Sequence, residues 1–504
     1  MGGRLDLAHG SVHLEDVSAS WGKAKSELSK KDILALIDKR EIQFLNLRFV
    51  AGDGRLKSFG FTTADRRHLD RVLSTGERVD GSSLFSSIDA GSSDLYVVPR
   101  YRTAYLNPFT PIPTLDLLCS FFTDQGAPLP NDPGYLCRKA QNSLFRATGY
   151  HMEALGELEY YAVGPAGEAY TPTAQRGYGE SSPFARYESL RQITMVILGN
   201  MGYSIKYGHN EVGQFIHGSK EWVQQEIEFN LAPLEESAEA LVMARWVLRM
   251  VAQRMGSFVT FSPKVLAGHA GSGMHVHTRL VKDGRSAVED DVGLTEVAHR
   301  LVAGFLDLAP ALTAFGNPIP LSYLRLVPNH EAPVYVCWGS RNRSALVRIP
   351  LGWRNVGDMA ALANPNDPEA HTPSVHNQTI EFRSPDGAAD AYLLHAGLAV
   401  AARHGLEMQS ALALSERLHV HSNIFKDPDT SVRDRLPKLP SGCAQSARCL
   451  LDQRSVFEKD GVFTAGTLDA VAARLSAFEE EDDRLRAGDE QAIHEAIGKY
   501  LHCA

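Results

Sequence analysis

The chain has 504 residues and a formal net charge of −9, from 60 acidic against 51 basic side chains, and 44% of its residues are apolar. This is ordinary globular usage at a length beyond one average domain, so a sizeable core and two domains are expected. No block of Lys or Arg is present to neutralise a run of phosphates, and the longest apolar stretch, 392–402, is short and broken by His395, which disfavours nucleic acid and membrane as partners.

Residues 1–30 are polar and unpatterned and read as a loose N-terminal extension without the apolar segment of a secretory signal, so a cytoplasmic protein is expected. Ser29 can cap a short helix through Ile33, Leu36 and Ile37. Ile42, Phe44, Leu47 and Phe49 then suggest a strand before the Gly-Asp-Gly turn at 52–54. Further strands are expected at 94–99 and 115–122. Prolines at 99, 108, 111, 113, 128, 130 and 133 suit edges and turns, and a helical pattern resumes after Pro133 through Leu136, Ala140 and Leu144. The predicted boundary lies there, giving an extension (1–30), a small domain (31–131) and a large domain (132–504) with a helical C-terminal segment. In the large domain, helices are expected near 186–201, 235–256, 292–313 and 388–413, and strands near 155–163, 203–207, 274–281 and 378–384. The alternation lacks a strict strand-helix rhythm, which predicts an α+β fold with a curved antiparallel sheet flanked by helices. Cys119, Cys137, Cys337, Cys443, Cys449 and Cys503 form no CxxC pair, so free thiols are expected.

The usual nucleotide signatures, GxxxxGK[ST] and GxGxxG, are missing. Gly-Glu-Leu-Glu-Tyr-Tyr at 156–161 puts Glu157 and Glu159 on one side of a strand, where they repel unless a cation lies beside them; a solvated strand face is the plain alternative. Further acids occur at Glu211 and at Glu226 and Glu228. In Gly-Ser-Gly-Met-His-Val-His at 271–277, His275 and His277 share a strand face, which fits a metal shell and a ligand contact but equally fits packing. Arg343, Arg348 and Arg383 stand near Glu381 in sequence; each alone reads as a salt bridge, whereas together with the carboxylates they suit metal-assisted phosphoryl transfer.

VDGSSL (79–84), GELEYY (156–161), GSGMHVH (271–277), NPIPLSYLRLVPNHEAPV (317–334), RNRSALVRIP (341–350) and IEFRSPDGAADAYL (380–393) resemble, in order, the motifs of the glutamine synthetase family. The resemblance runs from about residue 30 to the C-terminus. It implies a small N-terminal β-grasp domain, a large catalytic domain, and a homo-oligomer of stacked rings, dodecameric, with active sites at subunit boundaries. The implied reaction joins glutamate and ammonia through γ-glutamyl phosphate, with ATP as co-substrate and two or more divalent cations, Mg or Mn.

By the same resemblance, Glu159, Glu211 and Glu226 hold one metal ion and Glu157, His275 and Glu381 the other. Arg325 grips the glutamate α-carboxylate with Gly271 nearby. Arg343, Arg348 and Arg383 hold the transferring phosphoryl group, and His277 lies against ATP. Asp80 from a neighbouring subunit, with Tyr178 and Glu211, binds and deprotonates ammonium, and Glu331 closes the site from a loop.

The chain departs from the family pattern at several points. Ala270 stands where Asn is common, and His209-Asn210-Glu211 replaces His-His-Glu. About seven extra residues separate Glu211 from Glu226, so the choice of Glu226 rests on the Glu-Ile-Glu-Phe context, with Glu221 and Glu228 as competitors. A second insertion, 351–379, is expected to form a loop near the nucleotide entrance. Asn423-Ile424-Phe425 occupies the region where many bacterial relatives carry a nucleotide-accepting Tyr, so no such control is expected. A larger amine acceptor is the second reading, because Ala270 and the insertions enlarge the acceptor pocket. A non-catalytic homologue is the remote third.

Overall fold

The computed structural model describes residues 3–7, 10–14, 21–327, 332–352, 356–369, 377–426 and 430–504. In the N-terminal part, two helices pack on a twisted sheet whose strands run in the order Leu56–Thr62, Phe44–Val50, Thr114–Phe122, Asp94–Pro99, Glu77–Asp80. Phe44–Val50 and Thr114–Phe122 are parallel, and the other neighbours on this path are antiparallel. The sheet buries Leu45, Leu47, Leu115 and Leu117 against Ile33, Leu36 and Ile37 of Lys30–Lys39 and against Leu69, Val72 and Leu73 of Arg66–Thr75. The second helix begins at Asp65, whose carboxylate accepts from the Arg67 and His68 N–H groups.

The larger sheet has the central order Ile205–His217, Lys220–Phe229, His151–Pro165, Met274–Lys282, Ile380–Phe382, Val347–Ile349, Trp338–Ser340. Every neighbouring pair on this path is antiparallel except the last. Helices Pro133–Thr148, Leu234–Arg254, Glu296–Gly316 and Ala391–Glu407 cover it with one continuous apolar core that includes Leu158, Leu241, Val276, Phe305, Leu312 and Leu398. The α+β reading therefore holds. The helix expected at 388–413 is two helices, Ala391–Glu407 and Ala411–Arg417.

Within the segment expected to be a loose extension, the described residues include a two-stranded pair. Gly3–Leu7 pairs antiparallel with Gly10–Leu14, Val12 is fully buried in the core of the large sheet, and the His13 N–H donates to the Pro108 carbonyl at 3.0 Å. A five-residue strand is too short for apolar alternation to be read from sequence.

Where the two parts meet, Arg100 bonds Glu235 (2.6 Å) and Glu239, Arg102 reaches Glu239 (2.6 Å), and Arg138 pairs with Glu235 (2.5 Å). Burial pushes Glu239 up, but Arg100 and then Arg102 outweigh it and hold the carboxyl below its ordinary range.

Candidate active site

The large sheet curls around a cavity of about 800 Å³. Its chemistry follows from register. Glu157 and Glu159 alternate with the fully buried Leu158, so both face the cavity. Glu228 stands opposite Glu157 and Glu226 opposite Glu159 on one side, while His275 stands opposite Glu157 on the other. Glu381 is opposite both His277 and Arg348. Two register shifts mark Ile205–His217, one at Lys206 and one between Asn210 and Gln214. Such bulges re-aim side chains: Lys206 and Tyr207, although consecutive, both line the cavity, and Glu211 turns toward Glu226.

Three donor sets each bring their ligand atoms within 4.8 Å of one another: Glu157, His277 and Glu381; Glu157, Glu226 and His275; His209, Glu211 and Glu226. Glu157 is gripped by both imidazoles, at 3.0 Å from His275 Nδ1 and 2.8 Å from His277 Nε2. Burial works to raise Glu157, but His277 and His275 overcome it and hold the carboxyl well below its usual range. Glu226 has the opposite fate. Burial, then the charges of Glu157, Glu159, Glu211 and Glu228, push it well above the usual range, and His209 Nε2 is 3.0 Å away. Burial and the neighbouring Arg383 lower His275 to about 4, whereas His277 is raised because Glu157 outweighs its burial. A neutral imidazole beside a crowd of carboxylates is a donor set suited to a divalent cation, and the repulsion at Glu226 is what such a cation relieves.

Glu159 is held differently. Its Oε2 accepts from the Gly273 N–H at 2.7 Å and from Gln224 Nε2 at 2.9 Å. Glycine is required at 273, because a Cβ there would stand 2.5 Å from Arg325 Nη2 and 2.8 Å from His275 Nε2. A Cβ at Gly271 would likewise meet the Pro263 carbonyl at 2.5 Å. Arg325, 3% exposed, is fixed by a bond to the Ser384 carbonyl at 2.8 Å and faces the cavity beside these glycines. Glu381 lies between Arg348 (2.8 Å) and Arg383 (2.5 Å), which with the exposed Arg343 form a guanidinium wall. Pro350 also lines the cavity, as do Leu351, Asn377, Gln378 and Thr379 from the ends of the segment expected to be a second insertion.

Tyr178 is 58% exposed at the mouth, with its ring edge-on to His209 at 5.2 Å, and Tyr207 stacks on His209 at 5.7 Å. Ala270 exposes only a methyl group; its backbone is tied to Gln175 (2.8 Å) and Tyr161 (2.9 Å). Asp80 does not line this cavity. It is exposed at the end of Glu77–Asp80, and hydrogen bonds from Ser83, Ser82 and Ser93 hold its carboxyl below the usual range. Glu331 lies outside the described residues.

Sequence reasoning had not placed His209, Lys206 or Arg279 in the cavity, and had favoured Glu226 over Glu228, which lines it too. Glu228 has the same strand parity as Glu226, a signal present in the sequence. Glu221 has the other parity; it pairs with Arg186 at 2.9 Å and does not line the cavity.

Comparison with known proteins agrees with this geometry. Residues 130–474 match the family model "Glutamine synthetase, catalytic domain" and residues 41–124 match "Glutamine synthetase, beta-Grasp domain". The chain is 30% identical over 408 residues to a glutamine synthetase of Clostridium saccharobutylicum, covering 79% of this chain and 84% of that one. It is 28% identical over 479 residues to a glutamine synthetase of Mycolicibacterium smegmatis, covering 87% and 93%. The fold resembles Plasmodium falciparum glutamine synthetase (TM-score 0.73, 18% identity, 92% and 98% covered). It also resembles a structure titled "GmaS/ADP complex" (TM-score 0.69, 20% identity, 90% and 96% covered). The chain belongs to the glutamine synthetase family and is an ATP-dependent ligase.

Proposed function

We propose that the enzyme joins the side-chain carboxylate of glutamate to ammonia at the expense of ATP. The observation that carries this reading is the meeting of two charge sets in one cavity: clustered carboxylates and imidazoles, with Arg348 and Arg383 joined to them through Glu381 and Arg343 on the same wall. Arg325 binds the α-carboxylate of glutamate in the glycine-lined recess at Gly271 and Gly273. The glutamate side-chain carboxylate attacks the γ-phosphorus of ATP, and ADP departs. Arg343, Arg348 and Arg383 disperse the charge on the transferring phosphoryl group, and His277 lies against the nucleotide.

Ammonia then attacks the acyl phosphate carbon and phosphate leaves, while the nitrogen proton passes to a carboxylate. Tyr178 and Glu211 bind the incoming ammonium together with Asp80, which in this reading comes from a neighbouring subunit of a ring-forming homo-oligomer. Glu331 closes over the acyl phosphate to exclude water. Glu157, Glu159, Glu211, Glu226, His275 and Glu381 hold two or more divalent cations, Mg or Mn. Such cations, when bound, polarise phosphoryl oxygens.

Six free cysteines, four of them buried, support a reducing, cytoplasmic setting, and no helix among the described residues is long and apolar enough to cross a membrane. We place the domain division at 131/132, ahead of Pro133.

A second reading, a larger amine as acceptor, is favoured by Ala270, which leaves only a methyl group near the recess, and by the open mouth at Tyr178 and Tyr207. Competition of ammonia against methylamine and longer amines, read as ATP- and glutamate-dependent product, tests both. Glutamine as main product upholds the first reading, and a strong preference for an amine replaces it with the second.

A further inference from the structure

A second cavity, of about 400 Å³, opens between the turn Gly54–Leu56 of the small sheet and the helix Leu234–Arg254, and shares no lining residue with the carboxylate cavity. Its wall carries Arg55, Arg245, Arg249, Trp246 and His502. Arg245 and Arg249 are one helical turn apart and so face the same way, an arrangement in which like charges repel.

Opposite charge reaches these guanidinium groups only from a distance: Asp390 and Asp386 act on Arg245 without contacting it, and Ala504 also lines the cavity. Among the described residues, no carboxylate forms an ion pair with Arg55, Arg245 or Arg249. Arg55 donates to the His502 carbonyl at 3.0 Å and Arg249 to the Cys503 carbonyl at 2.7 Å, both neutral acceptors. Arg245 is 3% exposed, its Nε has no hydrogen-bond partner, and Nη2 meets only the weakly accepting Met274 Sδ at 3.1 Å. The nearby Asp386 and Asp390 are engaged elsewhere: Asp386 accepts from Asn317 and the Ala388 N–H, and Asp390 caps the helix that starts at Ala391. Burial, Arg245 and Arg55 together bring Arg249 down to about 10.

A buried guanidinium aimed into a cavity beside two others is costly unless an anion joins them. We propose that this cavity binds a small oxyanion, a phosphate or a dicarboxylate, gripped by the forks of Arg55, Arg245 and Arg249 beside the Trp246 indole. Met274 immediately precedes His275, so the guanidinium that would hold the anion also packs on a strand of the carboxylate cavity.

The test uses the intact protein, titrated separately with inorganic phosphate and with malonate while tryptophan emission is followed. The expected result is a saturable change with at least one of the two that is absent in Trp246→Phe. Affinity should fall at least tenfold in Arg55→Ala and in Arg249→Ala, with the KM for ATP unchanged in Arg55→Ala. Arg55 is exposed, so its replacement leaves the fold intact even if Arg249→Ala does not fold. Response to phosphate alone identifies a phosphoryl ligand, and response to malonate alone a carboxylate. The proposal is overturned if neither anion gives a saturable change, or if Arg55→Ala binds as tightly as the unaltered protein.

Discussion

Two buried charge clusters lie within the same chain and are resolved in opposite ways. At the junction of the two sheets, every acid meets a base: Glu235 and Glu239 are enclosed by Arg100, Arg102 and Arg138. In the carboxylate cavity, Glu226 is crowded by Glu157, Glu159, Glu211 and Glu228, and no Lys or Arg among the described residues forms an ion pair with it; its nearby bases are the imidazoles of His209 and His275. A cluster neutralised in place holds a structure together. A cluster left unbalanced stores an affinity for something that arrives from solution.

The largest effect that tests this contrast is at the junction. Glu239→Ala strips Arg100 and Arg102 of a buried partner and should destabilise the fold by about 3–5 kcal/mol, measured by denaturant unfolding. A loss below about 1 kcal/mol would mean the junction is not neutralised in the way its distances suggest.

The cavity should respond with the opposite sign. Glu226→Gln removes a carboxylate that its neighbours disfavour, so without divalent ions the variant should be more stable than the parent, by about 1 kcal/mol. Added Mg²⁺ or Mn²⁺ at a hundredfold excess over Kd should stabilise the parent by about 2.7 kcal/mol through mass action and the variant by much less. Equal metal stabilisation of both proteins would contradict a role for Glu226.

A third treatment of a buried titratable group adjoins the junction. His395 is fully buried, with Nδ1 donating to the Ala391 carbonyl at 2.7 Å and Nε2 facing Ser237 Oγ at 3.0 Å. Burial lowers its pKa from 6.5 to about 4. Between these values the unfolded chain binds the proton and the folded chain does not. The stabilisation from a neutral His395 is therefore full above about pH 6.5 and is lost as pH falls toward 4. From about pH 7 to about pH 5 this amounts to about 2 kcal/mol. His395→Gln should lose that part of the pH slope, and an unchanged slope would refute the assignment.

How far the sequence spoke for itself varies by residue. Period-two alternation was enough to pair Glu157 with Glu159 and His275 with His277, because each pair lies within one regular strand. The helix over 133–148 and the strand over 114–122 were legible for the same reason, as strongly patterned apolar runs. Lys206 was not, because a bulge breaks the alternation that sequence reading relies on. Leu56–Thr62 escaped notice as an edge strand with largely exposed side chains. The donor sets arise from register between strands far apart in the chain, and register depends on the whole packed sheet.

The residues between Glu211 and Glu226 form a hairpin whose tip, Gly218 and Ser219, joins Ile205–His217 to Lys220–Phe229. Acids that confront one another across paired strands keep their separation however far the strands run on beyond them. The tip is thus a place where peptide can be grafted or trimmed in matched pairs of residues, leaving the spacing of the carboxylates as it was.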